Sequence, residues 1–388
     1  MSQLILLGNP GTKRTIYLGK GALDAGITIR LLDWKDFREK FLKQENSCRN
    51  SVYENLKKEE FLKEKSFLKI DPPLWESCCL EELNTLVYGY EGELRQIKKL
   101  GEQWDISFLN QPEDIISLLD KRGCKRYLME AGIPVTEEIT GLEEMEISLE
   151  KNSLADHICK PEESRQLNTT PLAHQLLELM SCRKIFQVFI KPVQGSGAAG
   201  VAALRYQPKT GQTVLYTCGI LDDFTGHLVN TKRLRRFSDR NQVISIVEKL
   251  LRLDSVVERW YAKAEYKGFS YDLRAVIQDG QVDFVLARLS SGPITNLHLN
   301  NHPLRWQELG LTSKTMDSVF KLCRQAAECY PGLRSIGIDI LLEKGSLRPR
   351  IIEMNGQGDL IYQDIYDNNI IYRHQAEMMK EWLWKTCK

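Results

Sequence analysis

The most constraining feature of the chain is an apolar run over 273–277 that enters Asp279-Gly280 and leaves through a second apolar run over 282–287. An Asp-Gly pair between such runs is the strongest short hairpin signal, because both central residues of the tight turn need positive φ. An antiparallel ribbon is therefore expected here. Two more strand patterns follow, 336–342 and 350–354, joined by a turn at Lys344-Gly345-Ser346. The segment between carries Met316, Val319, Phe320, Cys323, Ala327 and Tyr330 at helical spacing, with Ser313 as the expected cap.

Further upstream, an apolar strand at 4–7, a Gly/Pro turn and a second strand at 27–32 predict a small α/β domain. The Lys/Glu-dense stretch 35–69 reads as exposed helix and loop. One helix is expected from Glu113 through Leu118, Leu119 and Leu128 to Gly132, with Asn110 as N-cap, Pro112 in the first turn and Pro134 as the stop. Residues 136–184 are polar and predict a variable, partly helical segment. A strand at 186–190 ends in Lys191-Pro192 and a glycine-rich turn, and the chain returns as a strand at 201–206. A helix with Val243, Ile246, Val247, Leu250 and Leu253 on one face follows Ser238-Asp239, and a strand at 255–260 comes next.

A chain of 388 residues suits two or three packed domains. A net charge of +1 gives no global field for nucleic acid or anionic membrane, so neither is an expected partner. There is no long uncharged apolar run to cross a membrane. The ten cysteines are scattered, without a CxxC pair, which points to a reducing compartment and a cytoplasmic location, with neither a disulfide framework nor a zinc site expected.

Four segments carry candidate chemistry. In Lys191-Pro192-Val193-Gln194-Gly195-Ser196-Gly197-Ala198-Ala199-Gly200, a glycine-rich hairpin turn can bring backbone N–H groups to phosphate oxygens, with Lys191 as a point charge. A plain flexible turn with a surface lysine is the competing reading. In the last two strands, Asp339 stands among Ile and Leu, and Glu353 and Asn355, two apart, leave one face. An unpaired carboxylate buried there costs on the order of several kcal/mol. A magnesium ion carrying ATP phosphates would compensate it; so would a nearby arginine. The segment from Val256 to Tyr261, with Glu258 and Trp260, could flank an adenine at a strand end, with Glu265 on the ribose, although alone it reads as core packing. In the hairpin, Arg274 and Arg288 would suit a transferring phosphoryl group if a bulge or twist turns them to one site, exposed ion pairs with Asp272 or Asp283 being the alternative. Asn296 and the loop histidines His298 and His302 follow.

Read in order, and preceded by Leu118-Leu119-Asp120-Lys121 and Gly132-Ile133-Pro134-Val135, these segments resemble the ATP-grasp superfamily over about residues 104–360. The resemblance implies an ATP-grasp fold of α/β (α+β) class. It would comprise an N-terminal pre-ATP-grasp domain (1–110), a central lid subdomain (111–254) and a C-terminal antiparallel metal-binding subdomain (255–388). It implies that Lys121 and Lys191 bind the nucleotide and that Gly195, Ser196 and Gly197 belong to a phosphate loop. Glu258 and Trp260 would lie at the adenine hinge, and Glu265 would be similar to the ribose-binding acid of D-alanine ligases. Asp339, Glu353 and Asn355 would hold two magnesium ions. Arg274, Arg288 and Asn296 resemble active-site positions of the ribosomal-protein glutamate ligase branch. The opening Leu6-Leu7-Gly8-Asn9-Pro10-Gly11 is similar to that of a bacterial ATP-grasp group without an assigned substrate. Two positions depart from the pattern: Gly356-Gln357-Gly358-Asp359 replaces the usual Ser-Pro-Gly substrate loop, and Gly337 stands where D-alanine ligases have an arginine.

The function implied is an ADP-forming carboxylate–amine ligase working through an acylphosphate, with a small-molecule or peptide carboxylate and an amine as partners. An ATP-grasp small-molecule kinase and a non-catalytic ATP-binding module are the rivals.

Overall fold

The computed structural model describes residues 2–42, 65–139, 170–195, 199–295, 301–357 and 369–386. Three sheets organise them. The first is parallel, in the order β2-β1-β3-β4. It contains β1 (Gln3–Gly8), α1 (Lys13–Ala25), β2 (Arg30–Asp33), β3 (Ser66–Ile70), α2 (Leu80–Gln103) and β4 (Ile106–Phe108). Thr12 caps α1 by accepting from the Thr15 N–H, and Gly26, at φ 67°, ends it in the left-handed conformation. The Lys/Glu-rich stretch is not all exposed: β3 lies within it and is buried at every position. Lys69 is tolerated there because its ammonium pairs with Asp71.

Two helices, α3 (Pro112–Leu119) and α4 (Lys121–Glu130), replace the single one expected. The break is Asp120, whose extended backbone lets its carboxylate accept from the N–H groups of Arg122 and Gly123. Gly123 leaves room for this cap, since a Cβ there would meet Asp120 Oδ2 at 2.6 Å and the carboxylate would have to shift. Asn110 is not the cap of α3. Its amide instead accepts from Ser335 N–H at 2.9 Å and donates to the carbonyls of Ser335 and Gly356, joining the first and third sheets.

The second sheet is antiparallel, in the order β8-β7-β6-β5-β9. It is built from β5 (Gln187–Pro192), β6 (Ala202–Gln207), β7 (Gln212–Leu221), β8 (Leu228–Phe237) and β9 (Ser255–Arg259). Helices α5 (Leu172–Cys182) and α6 (Arg240–Arg252) cover one face through Leu176, Met180, Val243, Val247 and Leu250. The third sheet runs β13-β12-β11-β14-β15, with β10 (Glu265–Tyr266) at the start of β11. Its strands are β11 (Phe269–Gln278), β12 (Gln281–Ser290), β13 (His302–Arg305), β14 (Ser335–Leu342) and β15 (Pro349–Asn355). The hairpin turn is where the sequence placed it, with Asp279 at φ 46° and Gly280 at φ 75°. Helix α7 (Ser313–Glu328) packs on this sheet and is capped by Thr312, not Ser313, because the Thr312 hydroxyl receives the Thr315 N–H. The last helix, α8 (Ile370–Thr386), returns to α1, where a Cβ on Gly21 would strike the Tyr372 carbonyl oxygen at 2.6 Å. No helix among the described residues is long and apolar enough to cross a membrane.

Candidate active site

The second and third sheets enclose one mixed cavity. Phe189, Ala199 and Val201 form an apolar wall on one side, and Leu341 and Ile352 form the other. The polar lining holds five cations (Lys121, Lys191, Arg259, Lys263, Arg288) and four carboxylates (Glu258, Asp272, Asp339, Glu353). The turn between β5 and β6 forms one edge through Gly195 and Ala199. Gly200, at φ 71°, closes that turn, and a Cβ there would meet Pro192 at 2.7 Å. Ser196 and Gly197 lie outside the described residues.

Lys121 reaches the cavity because the Asp120 cap starts α4 at that position. Its ammonium donates to the Gly195 carbonyl at 2.7 Å and lies 3.7 Å from Glu353. Four residues on, the same helix face presents Lys125, which sequence reading missed although the spacing from Lys121 could have found it. Lys125 is fully enclosed and sits 2.6 Å from Glu258, which also pairs with Lys191 at 2.8 Å and accepts from the Thr136 hydroxyl. Burial raises Glu258, but the two ammonium charges and their hydrogen bonds outweigh it and hold the carboxyl at about 2. Burial likewise draws Lys125 down to about 8 against the pull of Glu258. Glu258 thus acts as the counter-charge beneath Lys191, and one of the two lysines faces the cavity.

The third sheet needs neither bulge nor twist to bring its arginines together. Asp272 is the register partner of Arg288, Arg274 that of Asp339, and Asp339 that of Glu353. With Arg274 two residues from Asp272, all five side chains share one face. Arg288 holds Asp272 through Nε at 2.8 Å and Nη2 at 2.9 Å, and reaches Asp339 at 3.1 Å. Lys263, missed in the sequence, and Thr295, which opens the candidate segment of Asn296 but had no role assigned, complete the ladder by donating to Asp272. Arg288 and Lys263 hold Asp272 low against its burial, and the two aspartates hold Arg288 high.

These pairs mean that arginine, one of the two compensations open to Asp339, is present. Room for a cation remains. Asp339 Oδ1 and Arg274 Nη1 lie 2.9 Å apart, yet both are buried and neither makes a hydrogen bond of acceptable geometry. Glu353 is 26% exposed, with Lys121 as its long-range ion partner. An oxygen-donor pair facing one another across adjacent strands fits a hard divalent cation. The lining's charge points the same way, since five cations against four carboxylates leave too little positive charge for a polyphosphate alone. Asn355, opposite Gly337, lies two residues from Glu353 on the same strand face, at the edge of this set.

Trp260 and Glu265 lie elsewhere. They line a second, polar cavity with Gln187, Arg205, Tyr216 and Ser270, which shares Lys263 and Pro293 with the first. Trp260 stacks beneath the Arg205 guanidinium at 4.5 Å, and exposed Glu265 pairs with Lys344 at 2.7 Å. His302 is exposed on β13 and absent from both linings. Asn296 and His298 are outside the described residues.

The sequence matches no protein-family model and no curated protein. Its fold does match solved structures. The ATP-grasp ligase PsnB, complexed with minimal precursor, is similar at 12% identity and TM-score 0.54, covering 98% of this chain and 99% of that one. Macrocyclase MdnC from Microcystis aeruginosa MRC, bound with precursor peptide MdnA, is similar at 13% identity and TM-score 0.54, with 98% and 100% covered. The D-cycloserine synthetase DcsG is similar at 11% identity and TM-score 0.52, again with 98% and 100% covered. The fold of this chain is the ATP-grasp fold of α/β class.

Proposed function

We propose that the chain is an ADP-forming carboxylate–amine ligase that joins its substrates through an acylphosphate. The observation that carries the reading is the cavity itself, where Asp339 and Glu353, register partners, face Lys121, Lys191 and the glycine turn inside an ATP-grasp fold. The apolar walls suit a flat adenine between Phe189 and Val201 on one side and Leu341 and Ile352 on the other. The sugar end would run past Lys263 and Pro293 toward Glu265, where the two cavities adjoin. Glu258 would act beneath the nucleotide, by fixing Lys191.

Asp339, Glu353 and Asn355 would hold magnesium, which when bound neutralises phosphate charge and orients the γ-phosphoryl group. In the first step a carboxylate oxygen of the substrate attacks the γ-phosphorus and the bond to the ADP oxygen breaks. In the second the amine attacks the acyl carbon, inorganic phosphate leaves, and the amine loses a proton to form the amide. Lys121 and Lys191 would bind the phosphates, while Arg288 and Arg274, held by Asp272 and Asp339, would present fixed positive charge to the transferring group. The acceptor class is left open by relatives that include PsnB and MdnC, which are bound to precursor peptides, and a D-cycloserine synthetase. We take the domain division 1–110, 111–254 and 255–388 as a working one. The second sheet takes β9 from beyond 254, and α8 packs on the first domain.

The test is to incubate the purified chain with Mg²⁺-ATP and pooled amino acids and peptides, following ADP, phosphate and new amides together. Equimolar ADP, phosphate and amide are expected. A stable phosphorylated product without amide would make the chain a kinase, and no ADP with any pool would end the enzyme reading.

A further inference from the structure

Away from the cavity, three side chains with different donor atoms converge where α2 meets the turn between β7 and β8. They are Cys79, at the N-cap of α2, Glu81 in its first turn, and His227, nearly 150 residues later in the chain. Their Sγ, carboxylate oxygen and Nδ1 atoms all lie within 4.8 Å of one another. Cys79 Sγ is 3.2 Å from Glu81 Oε2, and His227 Nδ1 is 3.5 Å from Glu81 Oε1. A tetrahedral zinc ion with ligand bonds of about 2.0–2.3 Å has ligand–ligand edges of about 3.3–3.8 Å. The two measured separations run to different Glu81 oxygens and are each of about that size, so a rotation of the carboxylate brings one oxygen to an ion shared with the thiol and the imidazole.

The surroundings support a built site. The Cys79 thiol makes no capping hydrogen bond to α2 and points to Glu81 instead. The Leu228 N–H, at 3.4 Å from Glu81 Oε1, orients the carboxylate from the partner element. Backbone pairing fixes the two segments, with Cys79 bridged to Val229 and the Asn230 N–H bonded to the Cys78 carbonyl at 2.8 Å. His227 is 54% exposed, so an ion can reach the cluster from solvent and water can complete its coordination.

We propose that Cys79, Glu81 and His227 form a site for a single zinc-class transition-metal ion, corresponding to three protein ligands and one water. Binding would replace the thiol proton of Cys79 by the metal and release that proton to solvent, with no change in oxidation state. The site would fasten α2, part of the first domain, to the hairpin of the sheet that carries the glycine turn. Leu80, between two of the ligands, already lies in the core of that sheet and 3.3 Å from the Cβ that Gly200 lacks. The proposal does not rest on the ligase reading.

The experiment uses the full chain, stripped with chelator under reductant and titrated first with Zn²⁺ and then with Co²⁺ as the spectroscopic probe. One equivalent of Zn²⁺ should bind, raise the melting temperature and release a proton. The cobalt form should show a thiolate charge-transfer band and four-coordinate absorption. Cys79→Ser should abolish that band, and His227→Ala, at an exposed turn where folding is not at stake, should weaken binding roughly tenfold or more. Absence of stoichiometric binding would overturn the site. So would affinity unchanged in His227→Ala, or a thiolate band that survives Cys79→Ser and is lost in Cys78→Ser.

Discussion

The two sheets that face the cavity handle buried charge in opposite ways. On the second, one carboxylate, Glu258, serves two lysines, leaving a surplus of positive charge directed at the cavity. At the third, Lys263, Asp272, Arg288, Asp339 and Arg274 alternate in sign along a chain of ion pairs, four of them on the sheet and Lys263 just before it, leaving Glu353 at the solvent end. The first arrangement depends on a single residue. The second is distributed, and its one exposed carboxylate can take a new partner without dismantling the rest. Charge on one side is poised to attract an anion, and on the other to accept a cation.

The largest expected effect follows from the single dependence. Glu258→Ala strands Lys125 and Lys191, and removing one partner of a buried ion pair costs about 3–5 kcal/mol. Denaturant melts should show that loss, with Lys125→Met restoring part of it in the double variant. A loss below about 1 kcal/mol would mean that water reaches the lysines and that the two sheets do not differ as described.

Next, the ladder and its free end should separate. Asp339→Asn leaves Arg274 and Arg288 short of a charge and should destabilise the chain without ligand by several kcal/mol. Glu353→Gln should leave that stability near normal yet remove the magnesium-dependent part of the ATP stabilisation. That part is roughly 2.7 kcal/mol when ligand stands at about 100 times its dissociation constant. Thermal melts of both variants with ATP, with and without magnesium, decide it. Equal magnesium responses in wild type and Glu353→Gln would remove Glu353 from the metal set.

What the sequence revealed of this contrast follows from what a local pattern can encode. Asp279-Gly280 dictates its hairpin because the turn's backbone demand is met by the two residues themselves. Asp339, Glu353 and Lys191 stood out because charge in or beside an apolar strand is unusual in itself, whereas Lys121, at the start of a helix, was singled out only by the resemblance. Asp272 was legible only as one of two ion-pair partners for the arginines, and it is the partner of Arg288, buried and not exposed. Lys125 was not legible, since what makes it notable is a partner far along the chain: Lys125 is 133 residues from Glu258. Lys263 was missed because it lies outside any strand pattern that would set it beside Asp272. Lys69 in β3 was missed for a different reason: its partner Asp71 is only two residues on, but the Lys/Glu-dense surroundings make an ion-paired lysine in a buried strand look like an exposed one. Asp120 read as part of one long helix because its role lies in backbone geometry. The two arginines read as needing a bulge, whereas their register with Asp272 and Asp339 places them on one face.

The pH dependence sharpens the second sheet further. Lys125 sits at about 8 when folded against an ordinary 10.5, so between those values the unfolded chain holds a proton that the folded chain has lost. Stability must therefore rise with pH across that window, by on the order of 2–3 kcal/mol if this lysine acts alone. The Glu258 contribution has the same sign in a separate, acid window: it is present above about 4.5 and lost as the medium falls toward about 2. Other carboxylates share the acid window, which makes the alkaline one diagnostic. Stability of wild type minus Lys125→Met, measured by denaturant from pH 7.5 to 10.5, should climb. A flat difference would show that Lys125 stays charged in the folded chain.

The smallest effect should come from Trp260, and its smallness is informative. The resemblance places this residue at the adenine hinge, but its ring turns away from the main cavity to lie under Arg205 and against Phe189, with centroids 5.2 Å apart. The strand ends at Arg259, so Trp260 is not held to the face of Glu258 by strand alternation; Tyr261 lines the main cavity while the Trp260 side chain lines the second, which leaves the Trp260 backbone as its contact with a nucleotide in the first. Trp260→Ala should then lose a cation–π contact worth about 0.5–1 kcal/mol at a partly exposed site, together with some packing on Phe189. ATP affinity should change by less than about threefold, which is under 0.7 kcal/mol. Isothermal titration with Mg²⁺-ATP on wild type, Trp260→Ala and Lys191→Ala gives the scale, with Lys191→Ala as the large loss. If Trp260→Ala approaches it, the ring meets the base directly, and the two cavities are one nucleotide site whose adenine end lies on the Arg205 side.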